Sequence, residues 1–196
     1  MKKFISLLSI ILILASCSTK QANQDEVETT EKVMNSEKKD LVYKEVDIDG
    51  EPALVGEINQ EMLQGENYNT WYSFFKEDYK TNSEIVTELK DKINDYDVKV
   101  FIGTWCSDSQ DKGPAFFKVL EEAGYDMSKV QMFSLDSDKK GLNGEEAKYG
   151  VSHVPTFLFM KDGEEAGRIV ENPINSIEED VRDILNGTPQ TPNYAE

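Results

Sequence analysis

Cysteine and histidine are nearly absent: the 196 residues hold two cysteines, Cys17 and Cys106, and a single histidine, His153. No Cys-x-x-x-Cys pair and no second sulfur accompany His153, so the soft donor set that copper needs is missing, and neither a metal nor another cofactor is expected. The Thr-x-x-Cys arrangement of peroxide-reducing thiols is missing too. The polar run Asp136-Ser137-Asp138-Lys139-Lys140 has too few carboxylates, wrongly spaced, for a calcium loop and reads as a solvated turn. Positive charge is also scarce. Lys and Arg number 21 against 38 Asp and Glu, a net charge of −17, which argues against nucleic acid and anionic lipid headgroups as partners. The one long apolar run, residues 4–15, is shorter than the roughly 20 residues a membrane-spanning helix requires. No internal repeat is present.

What the ends contain is more specific. Met1-Lys2-Lys3 gives a positive start, the apolar run follows, and Ala15-Ser16-Cys17 closes it, the layout of a secretory signal peptide over residues 1–16. Leu14-Ala15-Ser16-Cys17 resembles the lipobox of bacterial lipoproteins, which implies cleavage before Cys17 and acylation of that residue, with palmitate among the chains. An ordinary signal peptide with a stray cysteine is the alternative. Removing residues 1–16 takes two basic residues with it and moves the net charge from −17 to −19. Attachment to a membrane would then rest on hydrocarbon, at about 0.8 kcal/mol per buried methylene, with more than one chain needed for a stable hold. The expected location is the cell envelope, lipid-anchored and extracytoplasmic, on the outer membrane where the host has one. Residues 17–40 are almost entirely polar after the lipidated cysteine and cannot bury a core. They suit a flexible tether with a root-mean-square reach of about 25–30 Å. Residues 188–196, with Pro189 and Pro192, read as a flexible tail.

Residues 41–187 suit a single domain, with an N-terminal extension and first helices over 41–95 and the main body over 96–187. Two extended stretches, 41–48 and 53–58, flank Asp49-Gly50 as a hairpin would, with Pro52 confined to a strand start or an edge. Trp71, Phe74, Phe75 and Tyr79 recur at helical spacing and read as a core face. Ile85, Leu89 and Ile93 do the same after the capping-box pattern Thr81-x-x-Glu84. A buried strand is predicted over 98–103, and a helix over 107–123 with Phe116, Leu120 and Ala123 inward, Gly124 as its stop and Pro114 as a kink. A strand over 130–135, a short helix over 145–149, a hairpin through Lys161-Asp162-Gly163 and a last helix capped by Ser176-x-x-Glu179 complete an alternating α/β pattern.

Cys106 lies in Trp105-Cys106-Ser107-Asp108-Ser109, at the junction of the buried strand and the helix. A Trp-Cys-x-x-Cys segment there would be a thiol redox motif, but Ser109 stands where the second sulfur belongs. Trp105-Cys106, Pro114, Tyr149-Gly150, Val154-Pro155-Thr156 and Lys161-Asp162-Gly163-Glu164 fall in the order seen in thioredoxins, so residues 96–186 resemble that family in a monothiol form. The resemblance implies a thioredoxin-like fold, a central mixed β-sheet flanked by helices. It also implies a cis peptide before Pro155, facing Cys106 across a substrate groove bordered by Trp105, His153, Val154 and Pro155. The chain departs from the family at Val100, where thioredoxins bury an aspartate, at Met132, where its lysine partner sits, and at Glu171, where a groove glycine is usual.

The start of a helix favours a thiolate at Cys106, while Asp108 and Asp111 oppose it by roughly 1 kcal/mol, a comparable amount. His153 is either a partner of the thiolate or a solvated loop residue. Disulfide exchange needs one thiolate to attack and another to leave, so a mixed disulfide at Cys106 has no internal resolving sulfur. Cys106 is therefore the expected nucleophile and Ser109 its hydrogen-bond partner, acting on thiol-containing or oxidised envelope proteins or on low-molecular-weight thiols, without dithiol reductase activity. The competing expectation is a redox-inactive binding or assembly module that keeps the fold, suggested by the departures at Ser109, Val100, Met132 and Glu171.

Overall fold

The computed structural model describes residues 41–194. The expected signal peptide over 1–16, the acylation site Cys17 and the tether over 18–40 lie outside the described residues. Six strands form one sheet in the order β1-β2-β4-β3-β5-β6: β1 Tyr43–Ile48, β2 Glu51–Ile58, β3 Asp97–Ile102, β4 Gln131–Ser134, β5 Thr156–Lys161 and β6 Glu164–Val170. Only β3 and β4 run parallel, so the sheet is mixed. Five α-helices accompany it: α1 Asn69–Asp78, α2 Ser83–Leu89, α3 Ser107–Glu122, α4 Glu145–Lys148 and α5 Ile177–Leu185.

Both hairpins follow from turn chemistry. Asp49 and Gly50 adopt φ of 57° and 88°, and Asp162 and Gly163 adopt 53° and 84°, the left-handed pair that matches the twist of the strands they join. Gly50 N–H also donates to Asp47 Oδ1 at 3.0 Å. Pro52 pairs with Asp47 beside the turn and lies outside the Gly56–Ile58 stretch that pairs with β4, so its missing donor is harmless.

β3 is the central strand and is buried on both faces. Val98, Val100 and Ile102 enter the main core with Phe116, Phe117, Phe157 and Phe159, where the Phe116 and Phe157 rings stack at 4.1 Å. Phe101 points the other way, into a smaller cluster with Phe133, Leu135, Val151 and Val154. Each fully buried aromatic of this kind contributes about 1.5–3 kcal/mol of transfer free energy. Val100 and Met132 sit opposite one another in the β3–β4 register, 0% and 1% exposed, an apolar pair where a buried charge would need a partner.

Helix ends are set locally. α3 stops where Gly124 takes φ 74° and Tyr125 N–H reaches back to the Leu120 carbonyl at 2.9 Å. Ser176 caps α5 by accepting from Glu179 N–H at 3.1 Å, as its sequence pattern predicts. The cap of α2 differs from expectation. Asn82 accepts from Glu84 N–H and Ile85 N–H, whereas Thr81 Oγ1 donates to Glu122, because Asn82 is the residue adjoining the first turn. Ile93 is buried but belongs to a separate 3-10 turn beyond α2. The aromatic face of α1 is also narrower than its spacing suggests: Phe74 is 61% exposed, and the buried ring is Tyr72.

The extension is bound into the domain by Glu178 on α5. Its buried carboxylate accepts from Tyr79 O–H at 2.8 Å and from Asn82 N–H at 2.9 Å. At the other end, residues 188–194 differ from the loose tail their composition implies. Gln190 donates to Asp183, Asn193 donates to the Asn172 carbonyl, and Tyr194 packs its ring on His153.

Candidate functional site

Cys106 is the N-cap of α3, with φ −88° and ψ 123°, and is half-buried. The loop that delivers it is fixed at each residue. Gly103 lies so close to the Trp105 indole that a Cβ there would stand 2.7 Å from the ring. Thr104 Oγ1, buried, accepts from Leu54 N–H at 3.0 Å, and Ser134 Oγ donates to the Leu54 carbonyl at 2.6 Å, so β2 grips the loop from the extension side. Trp105 Nε1–H donates to the Leu135 carbonyl at 2.9 Å, and Lys139 Nζ stands 5.4 Å from its ring centre. Cys106 N–H returns to the Gly103 carbonyl at 2.9 Å.

Opposite the thiol is the loop before β5. Its Val154–Pro155 peptide is cis, as the resemblance implies, and Cys106 Sγ lies 3.5 Å from the Val154 carbonyl oxygen. Thr156 Oγ1 donates to the His153 carbonyl at 2.8 Å and braces the loop. Cys106, Trp105, Val154 and Pro155 are therefore brought together. Ser109 is placed differently from the expected contact with the thiol. It is 1% exposed, and its Oγ accepts from Gly103 N–H at 3.1 Å, so the hydroxyl caps the end of β3. His153 is likewise turned to other partners. Its Nδ1 is 3.0 Å from Ser152 Oγ, and its ring stacks on Tyr194 at 4.5 Å with an interplanar angle of 10°.

Tyr194 is the residue that pattern reasoning misses, since nothing in a short polar tail marks one tyrosine as placed. Beyond His153 it meets Glu171, whose carboxylate, followed by a hydrogen bond to the same group, holds the Tyr194 hydroxyl protonated above its usual range, with Asp108 adding in the same sense. Glu171 itself has φ 55° and donates its N–H to the Pro155 carbonyl at 2.7 Å. That left-handed backbone explains why a glycine suits the position, and the side chain present there reaches the tail instead. Among the described residues no group of three or more His, Cys, Asp or Glu is placed to hold a metal ion.

A mixed sheet flanked by helices, a cysteine capping a helix and a cis-proline loop facing it make up a thioredoxin-like fold. The family model described as thioredoxin matches residues 76–183, and the chain belongs to that family. The match begins at Lys76, within α1, and not near residue 96 where the motifs start. A second model, the prokaryotic membrane lipoprotein lipid attachment site, matches residues 1–18, so this is a membrane-anchored thioredoxin-like protein. Thioredoxin H-type 1 of Nicotiana tabacum is 28% identical over 102 residues, covering 51% of this chain and 65% of that protein. Thioredoxin H9 of Arabidopsis thaliana is 25% identical over 92 residues, covering 47% and 61%. The chain thus spans less than two thirds of the length of these relatives. Among solved structures, a protein of unknown function from Pseudomonas aeruginosa shares the fold, with a TM-score of 0.50 at 15% identity over 67% of this chain and 91% of that one.

Proposed function

We propose that this protein performs thiol exchange through one sulfur at the extracytoplasmic face of a bacterial membrane, with Cys106 as the nucleophile. The observation that carries this reading is the position of Sγ: half-buried at the start of α3 and 3.5 Å from the Val154 carbonyl of the cis-proline loop, with no second cysteine among the described residues. The Cys106 thiolate attacks one sulfur of a disulfide, the new S–S bond joins Cys106 to that half, and the other half leaves as a thiolate that takes a proton from water. An external thiol then attacks the mixed disulfide and Cys106 leaves as thiolate. A partner sulfenic acid would enter the same cycle by condensing with the Cys106 thiol and losing water. Substrates on this reading are oxidised or thiol-bearing envelope proteins or low-molecular-weight thiols. Ser109 supports the site through the strand end, and Trp105, Val154 and Pro155 border the groove.

A binding or assembly module without turnover is the second reading, and the buried apolar pair Val100 and Met132 favours it, because neither of these two positions carries a group that could move a proton. The deciding experiment uses the full chain in detergent micelles with glutathione disulfide. One mixed disulfide should form at Cys106, vanish in Cys106→Ser and be released by added thiol. A native chain inert to glutathione disulfide, with the denatured chain reactive, would overturn the exchange reading. Insulin disulfides should not be reduced above background, since net reduction needs a resolving thiol.

A further inference from the structure

A cleft of about 300 Å³ opens between the β1–β2 turn, the start of α1 and the loop before Cys106. Its walls include Trp71 and Trp105, the only two tryptophans in the chain, together with Tyr68. Its rim carries Asp49 and Glu51, and no Lys, Arg or His lines it. Neither carboxylate forms an ion pair or a side-chain hydrogen bond among the described residues, so both charges are uncommitted. An adjoining cleft of about 220 Å³ shares Asn67 and Tyr68 and adds Glu45 and Glu66, again with no basic residue. Tyr68 is 4% exposed, and its hydroxyl is the one buried side-chain polar atom among the described residues without a hydrogen-bond partner. A buried hydroxyl left unpaired costs about 1–3 kcal/mol.

Aromatic faces and free carboxylates together recognise a cation with an apolar stem. The rings attract the charge through their quadrupole and cover the methylenes, while the carboxylates supply the counter-charge. Lys139 beside the Trp105 ring shows that this indole already accommodates an ammonium group. We propose that the cleft is a subsite for a lysine or arginine side chain of the polypeptide whose sulfur is delivered to Cys106, the neighbour of Trp105. The second clause rests on the exchange reading above; the cation site itself does not.

The test separates the two. In the full chain carrying Cys106→Ser, the two tryptophans report on the cleft directly. A sulfur-free hexapeptide with one arginine should shift their fluorescence and bind about tenfold more tightly than its glutamine counterpart at low salt. Asp49→Asn with Glu51→Gln should abolish the difference, whereas Glu88→Gln with Asp91→Asn, which removes equal charge elsewhere, should keep it. Equal loss in both variants, or survival of the difference in the first, would mean only the overall negative field is felt and would overturn the subsite. In the second arm, with native Cys106, the same peptides carry a cysteine activated as its thionitrobenzoate disulfide. The arginine peptide should release the chromophore about tenfold faster, in line with its binding. Selective binding with no release would refute the exchange reading and leave the cation subsite standing, while equal release rates with selective binding would overturn its link to Cys106.

Discussion

Ser109 stands where a second sulfur would sit, yet its hydroxyl faces the strand end and receives Gly103 N–H at 3.1 Å. Replacing it with alanine leaves a buried donor unpaired, so Ser109→Ala should lower stability by about 1–3 kcal/mol in urea denaturation without removing the thiol's reactivity. Ser109→Cys should do something different in kind. It restores the pair needed for an intramolecular disulfide, and free-thiol titration after mild oxidation should fall by two thiols per domain, with insulin reduction appearing for the first time. A variant that keeps both thiols free under oxidation would show that this position cannot reach Cys106. The identity of the residue was legible in the sequence, and the spacing placed it rightly on the first turn of α3. Which way its hydroxyl turns was not, because a serine one turn into a helix has several acceptors and donors within reach.

At the level of elements, residues 188–194 cover the loop that faces the thiol. Tyr194 lies on His153 and against Glu171, the two residues flanking the cis-proline segment in space. Tyr194→Ala, or termination after Gly187, should therefore raise the rate of Cys106 alkylation by a bulky maleimide severalfold more than by iodoacetamide; an unchanged ratio would show that the tail leaves access open. The loop before α4 carries its own pH dependence. Burial opposes ionisation of Glu146, but Gly141 N–H, its own backbone N–H and Lys140 outweigh that and hold its carboxyl below the ordinary range. With the folded value depressed, its stabilising contribution is present above the usual glutamate value of about 4.3 and is lost as the pH falls through the folded value. Amide exchange over 136–149 should accelerate at acid pH in the native chain and much less so in Glu146→Gln. Strands, helices and both hairpin turns follow from period and turn chemistry, which are local. The tail does not, since Tyr194 is placed by partners distant in sequence, and the cap of α2 falls one residue from the pattern because Asn82 adjoins its first turn.

For the whole molecule, the described part of the extension is integral to the domain. Glu178 on the last helix holds Tyr79 O–H and Asn82 N–H, while Thr104 and Ser134 hold Leu54 on β2. Glu178→Ala should cost about 1–3 kcal/mol for each donor it leaves unpaired and lower the thermal midpoint in a single transition that includes both ends of the fold. Two separate transitions would show that the extension melts on its own. The order of motifs was enough to recognise the thioredoxin core, but not these clasps, which pair residues 50 to 99 positions apart. One of them sets a direction for force. A chain anchored at a membrane surface through its N-terminal end transmits any pull into the folded part at β1, then through the ladder into β2, and from Leu54 directly to Thr104. The thiol sits two residues further on, so drag on the anchored protein bears on the loop that presents its sulfur before it reaches the rest of the core.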